Sequence, residues 1–236
     1  MGDAEYLVMR CEVCNFDYSE TWSASKHAHI IAHHEWDHGV RLRQPRGAFE
    51  HVGQVQGFQV LLVRPSSSLY ARRRAERVSR RSVREPGDGS YDKPVYFAEG
   101  PNSPAEIFPH AVLLDRHDHG VGIVVLERRP VIEFYRWTTR PSFELACNLP
   151  DTVRWAVAHA WLLPELRGRG VATGLVRAVL RGVSETPDTV GWLSPYTDAG
   201  RRLIGRLTLV GFHRAVCDLP PLEKVTPPFG GKHESF

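Results

Sequence analysis

The chain has 236 residues, 42% of them hydrophobic and 24% charged, a composition that fits a buried core and does not fit a disordered chain. Its formal net charge of +3 is too small by itself to announce a nucleic-acid binder. No apolar run approaches the roughly 20 residues that cross a bilayer, and the start MGDAEYLVMR lacks the basic and apolar stretches of an export signal, so a cytoplasmic protein is expected.

Residues 1–45 hold two of the four cysteines, Cys11 and Cys14, and five of the twelve histidines. In a chain without an export signal, a close cysteine pair reads as metal or redox chemistry before it reads as a disulfide. C-x2-C lets two thiolates share one ion, and His29 and His33 stand four apart, on one face of a helix. Together they make a tetrahedral structural zinc site with no open position for catalysis. A twelve-residue spacer would choose His27 instead, and His34 replaces His33 only with a distorted helix end. A segment this short has little core, so metal binding would supply its folding energy.

Residues 46–218 read as a second domain. GFQVLLV at 57–63 is a strand, and SSSLYARRRAERVSRRSVRE at 66–85 a helix with a serine cap. Seven arginines lie between Arg72 and Arg84, opposed by Glu76 alone. They do not share one face, and two readings stay open: a solvated helix, or a surface for an acidic partner or nucleic acid. Strands follow at 94–98, 110–115 and 120–128, the last two forming a hairpin across 116–119. Residues 131–137 extend the sheet and 138–152 read as loop. TVRWAVAHAWLL at 152–163 alternates as a half-buried strand does. A helix at 171–183, the strand TVGWLSP, the helix AGRRLIGRLTLV and the strand GFHRAVC complete the domain. The residues 219–236 lack periodicity and read as an irregular tail. The order predicts an α+β fold, a mixed sheet flanked by helices.

Between a strand and a helix lies Arg167-Gly168-Arg169-Gly170-Val171-Ala172. Glycines there let backbone N–H groups turn toward an anion, and the helix N-terminus adds its dipole. R-x-x-G-x-A in this setting resembles the CoA pyrophosphate loop of the GNAT superfamily of N-acetyltransferases. That resemblance implies acetyl-CoA, its pantetheine arm pairing to backbone near Leu162 and Leu163. The two modules together resemble the zinc-finger cohesin (sister-chromatid cohesion) acetyltransferases. RCEVCNFDYS with HIIAHH, Tyr18 four residues after Cys14, Trp161 on the strand before the loop, and LSPYTDAGRRL carry the likeness. It implies a protein lysine as acceptor.

The sequence departs from that family where the chemistry is done. Arg177 stands at the family's glutamate on the helix after the loop, Pro195 at its aspartate, and Ala158 at a serine of the CoA strand. Transfer to an amine needs a base for the amine proton and an acid for the leaving thiolate. Asp198 is the first candidate for base, with a helix N-cap as its alternative role. Tyr196 is a candidate acid, and Ser194 and His159 are further candidates, while Glu185 and Asp188 read as solvated loop residues. Alternatives to protein acetylation are a small-amine acetyltransferase or an inactive binding module.

Overall fold

The computed structural model describes residues 7–42, 48–85, 96, 98, 110–194 and 196–216. The N-terminal module is a β-hairpin and a helix. Strands β1 (Val8–Arg10) and β2 (Asp17–Ser19) pair antiparallel, Val8 opposite Ser19, and helix α1 (Ser23–His38) follows. The turn between the strands closes through Cys11 N–H to Phe16 C=O (3.0 Å) and Asn15 N–H to Cys11 C=O (2.9 Å). Asn15 takes the left-handed conformation that asparagine tolerates.

Everything else is organised on one mixed sheet. Strands β3 (Val40–Arg41), β4 (Glu50–Val55), β5 (Phe58–Val63), β6 (His110–Arg116), β7 (His119–Thr139), β8 (Ser142–Leu162), β9 (Gly191–Leu193) and β10 (Gly211–Ala215) make it up. The path runs β10-β9-β8-β7-β6-β5-β4, with β3 on β7. Two hairpins close on two-residue turns with both φ positive, Gln56-Gly57 and His117-Asp118, the turn whose twist suits antiparallel strands. Helix α2 (Leu69–Ser82) starts at Ser68, whose hydroxyl accepts the Ala71 N–H. Helices α3 (Val171–Gly182) and α4 (Asp198–Leu207) carry buried stripes at helical spacing, among them Val171, Leu175, Val179 and Ile204, Leu207. No helix among the described residues is long and apolar enough to cross a membrane.

Most expected elements are present; residues 138–152 are not a loop. β7 and β8 are each 21 residues long and pair from Gly122↔Leu162 out to Thr139↔Ser142, with register shifts along the way, the first at Val125/Leu126. The distal arm lacks alternation because most of residues 144–148 face solvent, so neither face selects apolar side chains. What holds it is β10, which pairs parallel with β9 and antiparallel with β7 from Gly211↔Arg136 to Ala215↔Val131. The strands β7, β8, β9 and β10 thereby close a ring of pairings. Phe212, fully buried, packs there against Tyr135, Trp137, Phe143 and Tyr196. β4, ahead of the first expected strand, is a further addition. Of the strand expected over 94–98, Tyr96 and Ala98 alone are described. They bond α2 side chains, Tyr96 N–H to Ser79 Oγ (3.1 Å) and Ala98 N–H to Glu76 Oε2 (3.1 Å). The tail at 219–236 and Pro195 lie outside the described residues.

The closure at β10 depends on a missing side chain. A Cβ at Gly211 would stand 2.0 Å from the Tyr135 carbonyl oxygen and 2.8 Å from the Phe134 ring. Gly211→Ala is therefore expected to lower unfolding free energy by about 1–3 kcal/mol, the usual cost of overpacking, as read from urea denaturation, with a shift under about 0.5 kcal/mol counting against this pairing.

Candidate functional site

The metal ligands come from the hairpin and from one face of α1. Sγ of Cys11 and Cys14 and a ring nitrogen each of His29 and His33 all lie within 4.8 Å of one another, and Cys11 Sγ is 3.1 Å from His33 Nε2. Donors around a tetrahedral zinc sit roughly 3.3–3.8 Å apart, so a small inward movement closes the site. His29 Nε2 is buried with no hydrogen-bond partner, the condition of a nitrogen waiting for an ion. Tyr18 stacks on the His29 ring at 3.8 Å and fixes its plane. The Cys14 backbone N–H is the largest influence on the Cys11 thiol, holding it down at about 6, while burial pushes the Cys14 thiol up. The donors suit zinc in a closed, structural role.

The arginines of α2 form the seam between this finger and the sheet. Arg81 is fully buried. Its guanidinium lies 3.8 Å over the Trp36 ring of α1 and 5.1 Å from the Trp161 ring of β8. It donates to the carbonyls of Glu35 (3.3 Å) and Trp36 (3.0 Å) and pairs with Glu85 at 3.5 Å. Burial pulls its pKa down to about 10, so it stays charged at neutral pH. Glu35, itself buried, pairs with Arg77 and, at 3.6 Å, with Arg84. Arg72 donates to Ala98 C=O (2.6 Å), Arg74 covers Tyr70 and Arg80 pairs with Glu76 (2.6 Å). Arg81 is thus an interior residue, while Arg73 and Arg80 remain exposed.

On the other side of Trp161 the sheet opens. β8 and β9 pair at Ala156↔Gly191 and Val157↔Trp192, and from there to Leu162 β8 has no strand partner on that edge among the described residues. The Leu163 N–H donates into the sheet, to Val121 C=O at 2.9 Å. Antiparallel alternation therefore turns the backbone groups of Ala160 and Leu162 toward the opening. The loop at its end has Gly168 at φ +75° and Gly170 at φ +80°, and no side chain caps α3. A Cβ at Gly168 would meet nothing within 4 Å, so the backbone is open to a ligand. The N–H groups of Val171 and Ala172 lie uncapped at the start of α3 with the dipole behind them, the kind of backbone that can hold an anion. Gln56 Nε2 secures the loop through Arg169 C=O (3.0 Å). Arg169 is exposed, whereas Arg167 turns back: its Nε and Nη2 donate to Leu162 C=O (2.9 and 2.8 Å), and Nη2 also to Glu85 (2.5 Å).

The candidates for proton transfer fall in two places. Ser194 follows β9 and accepts from Arg214 Nε at 3.2 Å. Tyr196 is held by its O–H on Trp192 C=O (2.9 Å), and burial raises its pKa strongly. Asp198 is exposed at the first turn of α4 and pairs with Arg201 (2.5 Å). The N-cap there is Thr197, whose Oγ1 accepts the Gly200 N–H (3.0 Å). His159 points the other way, to α2: Ser82 gives its proton to Ser79 C=O (2.7 Å), so His159 Nε2 donates to Ser82 Oγ at 2.9 Å. Glu185 accepts from Thr189 Oγ1 (2.7 Å), and Asp188 from Leu209 N–H (3.2 Å). Arg177 lines a groove of about 430 Å³ between β4 and α3. Beside Ser194 is an unexpected group: Glu133 accepts from Arg214 Nη1 (2.7 Å) and the Tyr135 hydroxyl (2.9 Å). Burial tends to raise the Glu133 carboxyl, but these two donors outweigh it and hold the group below its usual value. Glu133 and Arg214 are neighbours across β7 and β10, 81 residues apart, so no local motif announces them.

No family model matches the chain and no curated protein matches it in sequence. Among solved structures, it is similar to the xEco2 acetyltransferase domain bound to a CoA conjugate. The TM-score is 0.53 at 16% identity, over 73% of this chain and 98% of that one. A second structure of the same domain gives 0.52 at 16% identity, over 73% and 97%. The chain has the fold of that domain.

Two outcomes follow from this geometry. Purified protein is expected to hold about one zinc per chain by mass spectrometry, lost in Cys14→Ser and kept in Cys147→Ser; full metal content in Cys14→Ser would refute the ligand set. Glu133 has a depressed folded-state pKa, so its pair with Arg214 contributes stability above the unfolded value of about 4.3. That contribution disappears as pH falls through the folded value. The urea midpoint of Glu133→Gln should therefore lie below wild type at pH 7 and converge with it by about pH 3; a constant offset would contradict the pairing.

Proposed function

We propose that the chain is an acetyl-CoA-dependent N-acetyltransferase whose acceptor is a lysine amine on a protein. The observation that carries this is the parting of β8 from β9 after Val157, with an uncapped helix N-terminus behind left-handed glycines at the end of the gap. A pyrophosphate fits the N–H groups from Gly168 to Ala172 beside Arg169. An amide-bearing arm fits the open backbone edge at Ala160 and Leu162. Bound there, acetyl-CoA supplies an activated acetyl thioester. The likeness to a domain solved with a CoA conjugate supports the reading, and the protein-directed choice follows the same likeness.

The chain's own contribution is to the proton. A lysine amine, with pKa about 10.4 free in water, must lose one to attack. Asp198, ionised and exposed at the start of α4, is the proposed base, acting directly or through one water. It must exchange Arg201 for the acceptor to do so. Tyr196 is kept protonated by burial, and on exchanging Trp192 C=O for the leaving sulfur its O–H would stabilise that sulfur by a hydrogen bond. Ser194, held at the end of β9 by Arg214, which Glu133 holds in turn, is proposed to help place the acceptor. His159, facing α2, is proposed to position β8. With Arg177 in place of a carboxylate on α3, the proton falls to Asp198 in this reading.

The test is transfer of labelled acetyl from acetyl-CoA to three separate acceptors: protein extract, a lysine-peptide pool and an aminoglycoside panel. Label on protein or peptide lysine is expected. Gly170→Glu, which places a carboxylate and a strained φ at the anion site, should raise KM for acetyl-CoA by at least about tenfold. Asp198→Asn should lower kcat about 100-fold. Label on the aminoglycosides alone would redirect the reading to a small amine, and CoA binding without transfer would leave an inactive binding module.

A further inference from the structure

Among the described residues, Glu85 is the acid that touches both the seam under the finger and the CoA loop. Its Oε1 pairs with Arg81 at 3.5 Å and its Oε2 with Arg167 at 2.5 Å, and its side chain is 19% exposed. Arg81 cannot move alone. The finger holds it through the Trp36 ring and the carbonyls of Glu35 and Trp36. The same turn of α2 is gripped a second time by the finger's hairpin: Asn15 Nδ2 donates to Arg84 C=O (3.1 Å), and the Arg84 guanidinium lies 5.5 Å from the Phe16 ring. Asn15 and Phe16 directly follow Cys14, and Glu35 and Trp36 lie within three residues of His33. Each finger contact on α2 is thus set by a segment that the metal ligands pin. Arg167, at the far end, ties the last carbonyl of β8 to the start of the anion loop.

We propose that Glu85 is a positioning residue that couples the zinc finger to the CoA loop, so that CoA affinity depends on zinc occupancy and zinc retention depends on CoA. The proposal rests on reading the Gly168–Ala172 loop as the CoA site. Without metal, a finger of this size does not keep its fold. Arg81 then loses the Glu35 and Trp36 carbonyls and the Trp36 ring, and Arg84 loses Glu35 and the Phe16 ring. Glu85, the acid already paired with Arg81, is drawn to the guanidinium groups left without those partners. Arg167 is released, and the corner between Leu162 and Gly168 loses the clamp that orders its N–H groups. Linkage makes the effect reciprocal: a ligand that orders the loop favours the metal-bound finger by the same factor.

The experiment measures CoA binding by calorimetry on the full chain, zinc-loaded and chelator-stripped. It also measures zinc loss from the loaded chain to a chromogenic chelator, with and without saturating CoA. In wild type, stripping is expected to weaken CoA binding about tenfold, and CoA to slow zinc loss by a similar factor. In Glu85→Gln both effects should vanish while zinc content stays full, and Glu85→Asp should restore part of them. Equal CoA affinity with and without zinc in wild type, or coupling in Glu85→Gln equal to wild type, overturns the proposal. Should the stripped protein unfold, the zinc-loss rates on loaded protein decide alone: equal slowing by CoA in wild type and Glu85→Gln overturns it. Loaded wild type that binds no CoA at all is a different result, which removes the functional reading of the loop and this coupling with it.

Discussion

A guanidinium excluded from water needs every donor matched, or it costs several kcal/mol. Arg81 meets most of that demand by drawing three elements together: α1 gives two carbonyls and the Trp36 ring, β8 gives the Trp161 ring, and Glu85, just past α2, gives the opposite charge at 3.5 Å from Nη1, which has no hydrogen bond of its own. Their relative placement is then no longer free. α1 must present its C-terminal turn, so the finger sits at one rotation against α2, and the metal ligands one turn earlier are placed with it. Trp161 must face α2, so the alternation along β8 sends the backbone of Leu162 to the open edge. The arginine between finger and sheet thus determines which edge of β8 a ligand meets.

The opening itself is a property of the sheet. β9 is three residues long, and β10 draws it toward the distal half of β7. β8 stays paired with β7, with a bulge at Ala158 just past the fork, and the two parallel strands β8 and β9 share two residue pairs and then part. Gly191 sits at that fork, where a Cβ would stand 2.9 Å from Val131 and 3.2 Å from Ala156. The long arm of β7 and β8, without an apolar periodicity of its own, is what β10 needs as a partner. A segment that looks dispensable in sequence therefore holds the cleft open.

Much of this was legible from residues alone, and the limits have physical causes. The C-x2-C pair and the i, i+4 histidines are local geometry, so their spacing already carries the site. The glycines of the loop and the stripes of α3 and α4 are likewise local rules. Charge without burial is not: seven arginines in one helix read as surface, because nothing nearby in sequence shows Glu35, Trp36 and Trp161 closing over Arg81. The arm at 138–152 reads as loop in sequence because strand patterns are visible only where one face is buried. Glu133 with Arg214, and Glu85 with Arg167, are partners across the fold with no signature in either segment.

The central claim is that CoA lies in the gap between β8 and β9 with its pyrophosphate on the start of α3. Amide hydrogen exchange of the zinc-loaded chain, with and without saturating CoA, tests it most directly. The account predicts slowed exchange at Ala160, Leu162 and Gly168 to Ala172, and little change in β4 and β5. Unchanged exchange over those residues, or protection confined to the groove between β4 and α3, would contradict it.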